Sequence, residues 1–155
     1  MRILVVLLSL AWSVTGAAGD ERYAVHVVDE GARTTWNVEL ADEPAEHSRG
    51  LMFRRSMPAK TGMLFDFGQP EPVSMWMRNT FISLDMVFIC ADGTVSRVAA
   101  NTEPESEAIV SSGEDVRYVL EINAGEAARY GIERGDQFLA DRDTFFQGDN
   151  HDCGR

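Results

Sequence analysis

The sequence predicts a mainly β or α+β fold: a compact, barrel-like antiparallel β domain with two short helices. Three observations predict it. Apolar and polar residues alternate over several short runs, the period a half-buried strand requires. Asp92-Gly93 lies between two apolar runs, the strongest short-range hairpin signal. Helix-start residues at Asp42 and Asn123 are each followed by only a short stretch of helix-forming sequence.

The chain opens with Met1-Arg2, an apolar run from Ile3, and small residues at Gly16-Ala17-Ala18-Gly19 ahead of Asp20-Glu21-Arg22. A basic start, a short apolar run and a small-residue exit describe a secretory signal peptide over residues 1–19, cleaved near residues 17–20. The run is shorter than the ~20 residues of a spanning helix, so no stable membrane insertion is expected after cleavage. The destination is the periplasm or the exterior. Residues 20–147 then read as one domain, large enough for a real core, and 148–155 as a polar tail.

The first strands are Tyr23 to Asp29 and the segment around Trp36, Val38 and Leu40, with Gly31 at the turn between them. Asp42 is the expected N-cap of a helix reaching about Phe53, with Pro44 in its first turn and Glu43 and Glu46 near its positive end. Gly50 weakens that helix and is expected to admit a neighbouring backbone. Gly62 to Phe67 is a brief strand broken by Gly68, Pro70 and Pro72, and Val73 to Met77 resumes extended structure.

The hairpin pairs Leu84–Ala91 with Thr94–Ala100 through an expected type I′ turn. Leu84, Met86, Phe88 and Cys90 share one face of its first strand, Val87 and Ile89 the other, so that strand is internal, with Asp85 as its polar exception. Val116 to Ile122 alternates next, with Arg117 and Glu121 expected outward. Asn123 and Glu126 have capping-box spacing. Gly131-Ile132 fits a helix end, and Gly135-Asp136 leads into a last strand, Gln137 to Ala140.

The formal net charge is −11. A surface that negative repels phosphate backbones, so no nucleic-acid partner is expected. Cys90 and Cys153 would share an oxidising compartment, but Cys90 lies in an apolar strand and Cys153 in a tail that reads as mobile, so their pairing is left open.

Familiar catalytic motifs are absent: no Cys-x-x-Cys, His-Glu-x-x-His, Gly-x-Ser-x-Gly or phosphate-cradling glycine loop occurs. His26, His47 and His151 are scattered and pair with no nucleophile. The segment Met75 to Thr80 stands out, because Trp76 can wall a pocket while Asn79 and Thr80 offer donors and acceptors. From spacing alone, local turn bonds and core packing explain the same residues more simply. Met52, Met57, Met63, Met75, Met77 and Met86 raise the thought of a soft Cu(I) site, although methionine mostly fills irregular core space. No metal or cofactor is expected.

Arg49-Gly50-Leu51-Met52-Phe53-Arg54, Gly62-Met63-Leu64-Phe65, Trp76-Met77-Arg78-Asn79-Thr80 with Leu84-Asp85, and Val119 to Gly125 with Gly131-Ile132 and Gly135-Asp136 follow one another in order. Together these blocks resemble domain-of-unknown-function family 192. The resemblance implies a small β-rich barrel, often exported, with no reaction assigned. Ser83 departs from it, since the family usually carries proline before Leu-Asp, which implies a looser start to that strand.

Carried over residue by residue, the resemblance singles out Arg49, Trp76, Asn79, Thr80 and Asp85, with Glu103 beside Pro104 as a weaker sixth. Arg49 and Asp85 could form an interior ion pair that locks the first helix to the internal strand. The alternative is that they face a ligand pocket. The resulting expectation is an exported, non-enzymatic binding or accessory module whose partner is a small molecule or an envelope protein. The alternative is an enzyme using Trp76, Asp85 and Glu103 on a small polar or glycan-like substrate.

Overall fold

Alternating apolar residues make β1 (Arg22–Asp29) and β2 (Ala32–Ala41) a hairpin in which Val25 faces Trp36. The computed structural model describes residues 22–29, 32–141, 145–146 and 153; the signal-peptide reading lies outside them. The helix α1 (Pro44–Arg49) follows, then β3 (Thr61–Met75), β4 (Leu84–Ile89), β5 (Val95–Ala99), β6 (Val110–Asn123), α2 (Glu126–Arg129) and β7 (Phe138–Ala140). All seven strands form one sheet in the order β5-β4-β6-β3-β2-β1-β7, curled into half a barrel. Its edge strands meet at one end through an antiparallel bridge between Thr94 and Gln137.

One pairing departs from the antiparallel expectation. β2 and β3 run parallel, with Leu40 beside Leu64, because α1 and the loop after it carry the chain back before β3 begins. β3 is also one strand of 15 residues rather than two pieces. Its register against β6 shifts between Asp66 and Glu71 and again between Pro72 and Ser74. Such irregularities let prolines, which cannot donate to a ladder, stay in a strand.

The turns and caps differ in detail too. The β4–β5 connection spans residues 90–94, and in it Gly93 takes φ +90° while Asp92 has no positive φ, so the turn is not type I′. The Gly93 N–H donates to the Cys90 carbonyl (3.1 Å), and the Asp92 carboxylate accepts the Thr94 N–H (2.9 Å). Glu43, not Asp42, is the N-cap of α1, and the Glu46 carboxylate accepts the N–H groups of both Asp42 and Glu43 (3.2 Å each). α1 ends at Arg49, short of Phe53.

Gly125 is the N-cap of α2, so Asn123 does not cap it. Asn123 ends β6, and its amide donates to the carbonyls of Met57 and Pro58 (3.1 Å each). The helix end is as expected: Ile132 N–H reaches the Ala127 carbonyl (2.9 Å) across Gly131, the Schellman arrangement. Ser83 is not loose, since its hydroxyl donates to the Thr102 carbonyl (2.7 Å) and its own carbonyl accepts the Ala124 N–H (3.2 Å).

Both sheet faces are covered, and strand alternation sorts side chains between two apolar clusters. Val87 and Ile89 of β4 join Trp36, Leu64, Tyr118, Leu120, Ile122 and Phe138 on one side, with Ala127 of α2. Leu84, Met86 and Phe88 join Leu51, Met63, Phe65, Met77 and Val119 on the other. Cys90 also lies in the second cluster and is disulfide-bonded to Cys153, their Cα atoms 5.9 Å apart. Within the stretch read as a mobile tail, Cys153 is therefore buried and tethered.

Candidate functional site

The second cluster opens to the surface as a cleft of about 230 Å³ beside α1. α1 contributes His47 and Arg49, β3 contributes Phe65 and Phe67, and the segment after β3 contributes Trp76 and Thr80. Glu121 of β6 completes the lining. It was expected to point outward, yet it is only 4% exposed. Strand neighbours explain this: Glu121 lies opposite Met63 on β3 and Met86 on β4, both buried in the second cluster.

No hydrogen bond or ion pair reaches the Glu121 carboxyl among the described residues. Burial alone pushes its pKa up from the ordinary carboxylate value to about 8, so it is protonated at neutral pH. β3 holds it closely, because a Cβ on Gly62 would collide with the Glu121 carbonyl oxygen. A glycine there is what lets β3 and β6 approach at the base of the cleft.

Around this carboxyl the walls are aromatic. Trp76 is 44% exposed and carries the Arg78 guanidinium over its ring, 5.7 Å from the centroid. The His47 ring lies 4.7 Å from that of Phe67, and His47 Nε2 is 3.0 Å from the Ala41 carbonyl. Arg49 is exposed at the rim and forms no ion pair among the described residues. Gly50 ends α1 at φ +45°, and a Cβ on it would sit 3.1 Å from the Phe65 ring, so the close neighbour is a side chain rather than a backbone.

Of the six residues singled out from the sequence, the structure brings Arg49, Trp76 and Thr80 to the cleft. Thr80 is buried, with its N–H on the Met77 carbonyl (3.0 Å) and its own carbonyl accepting the Glu105 N–H (3.0 Å). Asn79 is exposed and does not line the cleft. It takes φ +56°, and its carbonyl accepts the Phe53 N–H (2.8 Å), tying the loop after α1 to the segment after β3.

Asp85 does not face the cleft. It lies in β4 between Leu84 and Met86, so the pleat sends it to the opposite side of the sheet. There it is fully buried and accepts the N–H groups of Asn101 (2.8 Å) and Ala127 (2.9 Å). Ala127 is in the first turn of α2, so Asp85 satisfies one of the unpaired donors at that helix start. The Arg49–Asp85 ion pair is accordingly absent. Glu103 is exposed in the loop after β5 and outside the cleft, so Trp76, Asp85 and Glu103 do not share a pocket.

Glu126, expected to form a capping box with Asn123, is buried and bonds elsewhere. Glu126 accepts the Trp36 indole N–H (2.7 Å) and the Lys60 N–H (3.0 Å), tying α2 to β2 and to the start of β3. Its role is structural. The signal for Glu121 was a charged residue inside the apolar run Val119 to Ile122. Alternation by itself sends such a residue to solvent, and only a sheet covered on both faces brings it inside.

Comparison with known proteins agrees with this architecture. The family model DUF192, Uncharacterized ACR, matches residues 25–139. No curated protein matches the chain. A solved structure from Sinorhizobium meliloti 1021, provisionally described as a transcription regulator, is 44% identical with a TM-score of 0.77, over 81% of this chain and 98% of that one. A protein of unknown function from Novosphingobium aromaticivorans DSM 12444 is 37% identical with a TM-score of 0.75, over 84% of this chain and 94% of that one. With its model spanning the sheet from β1 to β7, the chain belongs to the DUF192 family of uncharacterised proteins.

Proposed function

We propose that this protein is an exported, non-enzymatic binding module that holds a small molecule in the cleft beside α1. The observation that carries the reading is Glu121, a residue only 4% exposed whose carboxyl opens into an aromatic-walled cleft and has no hydrogen-bond or ion-pair partner among the described residues. Burying a polar group with no partner costs stability, and an aliphatic residue would fill the site better if packing were its only role. Export is supported by the leader-like start of the sequence and by the Cys90–Cys153 disulfide, since such bonds persist in oxidising compartments. Among the described residues no helix is long and apolar enough to cross a membrane. The net charge of −11 opposes a phosphate backbone, so the regulator description of one structural neighbour is not extended to this chain.

Native mass spectrometry of the exported protein, incubated with the small-molecule fraction of its own culture and desalted, tests the reading. A noncovalent adduct is expected on the wild type and should be lost from folded Trp76→Ala. An adduct equally abundant on both proteins, or absent from the wild type, would overturn the proposal.

A further inference from the structure

We propose that the cleft takes a small zwitterion, with its ammonium group against Glu121 and its carboxylate at Arg49. This rests on the small-molecule reading above and names the class of ligand. The two charged ends follow from the lining. Glu121 is the acidic group of the cleft, and the groups facing it are apolar or neutral: Met63 from β3, Met86 from β4, and the aromatic and hydroxyl side chains of the walls. Of the basic groups, Arg49 stands at the rim without an ion pair among the described residues, whereas His47 is engaged by Phe67 and the Ala41 carbonyl.

Each simpler ligand leaves one charge badly placed. An anion would find Arg49 but would give Glu121 no positive charge to pair with once its carboxyl ionises. A cation would find Glu121 but would have to pass Arg49. A molecule carrying both charges, cationic end inward, satisfies both groups, and aromatic faces add attraction for an ammonium. The volume of about 230 Å³ is below the range of drug-sized pockets, which points to a ligand of amino-acid size.

Binding then has a defined proton balance. At neutral pH Glu121 holds its proton, because burial raises its pKa to about 8. As the ammonium arrives, Glu121 releases that proton to solvent and the carboxylate and ammonium form an ion pair. Affinity should rise about tenfold per pH unit below about pH 8 and level off above it. His47 and Arg49 are the other ionisable groups lining the cleft.

Isothermal titration of the folded protein between pH 6 and pH 9 tests this with four probes. Glycine betaine and L-leucine are zwitterions, 3,3-dimethylbutyrate is the carbon isostere of betaine without its positive charge, and choline lacks the carboxylate. A zwitterion should bind at least tenfold more tightly than both 3,3-dimethylbutyrate and choline. Betaine, whose ammonium does not titrate, should show the rise with pH. Glu121→Gln should flatten that rise and erase the preference over 3,3-dimethylbutyrate, and Arg49→Gln should erase the preference over choline. Equal binding of betaine and 3,3-dimethylbutyrate, a flat pH profile in the wild type, or no binding of either zwitterion would overturn the inference. If the mass-spectrometric adduct persists in those cases, the small-molecule reading survives without it.

Discussion

Asp85 and Glu121 lie on neighbouring strands, one residue out of step, and that step places them on opposite faces of the sheet. Asp85 pairs in register with Ile122, and Glu121 with Met86. Both are carboxyls in a covered sheet, yet their circumstances differ. Asp85 is fully buried with two backbone N–H donors, whereas Glu121 has none among the described residues and lines the cleft. One is part of the scaffold, and the other is the candidate for binding.

For Asp85 the expected effect is on stability. Asp85→Ala strands the N–H groups of Asn101 and Ala127 and should cost about 3 kcal/mol, read from urea unfolding. Arg49→Ala, at an exposed site, should change stability by less than about 0.5 kcal/mol. The double variant should be additive within about 0.5 kcal/mol. Strong coupling would show that the two side chains meet after all.

Glu121 makes stability depend on pH with an unusual sign for a carboxyl. Its pKa is raised on folding to about 8, so between about pH 4.5 and pH 8 the folded state holds more protons than the unfolded state. Its contribution is fully present below about pH 4.5 and is lost as pH rises through about 8. His26, held below its ordinary value by burial and by Arg33, acts in the opposite sense near neutrality. The difference between wild type and Glu121→Gln cancels His26. The variant should gain on the wild type by a few kcal/mol from pH 5 to pH 9. A constant difference in melting temperature across that range would contradict the burial of Glu121.

Asn123→Ala should destabilise the fold by about 1 kcal/mol through loss of the amide bonds to Met57 and Pro58. Hydrogen exchange locates the effect. Protection should fall around residues 57–61 and stay unchanged in α2. The reverse pattern would restore Asn123 as a helix cap.

Reducing the disulfide should lower stability, because it joins residues 63 apart in sequence. The chain-entropy argument puts the effect at about 4 kcal/mol for a loop of that size. A thiol assay on exported, unfolded protein should find no free thiols until reductant is added. Two free thiols, or a urea midpoint indifferent to reductant, would refute the bond.

Period-2 alternation, the Asp92-Gly93 turn and the Gly131-Ile132 helix end were local signals, readable in order along the chain, and they determined the strands, the hairpin and the end of α2. The two faces of β4 were equally legible, since Leu84, Met86 and Phe88 alternate with Val87 and Ile89. Trp76, Thr80 and Arg49 could be singled out through the blocks they share with the family. Only the tertiary structure decided what each charged residue does. Burial depends on what covers a face, and coverage comes from elements distant in sequence: α1 and the segment after β3 on one side of the sheet, α2 on the other. That is why Glu121, a surface residue by alternation, lies inside a cleft, and why Asp85, a pocket residue by resemblance, holds the start of a helix. The parallel β2–β3 pair and the Cys90–Cys153 bond were settled in the same way, by partners brought together over long loops.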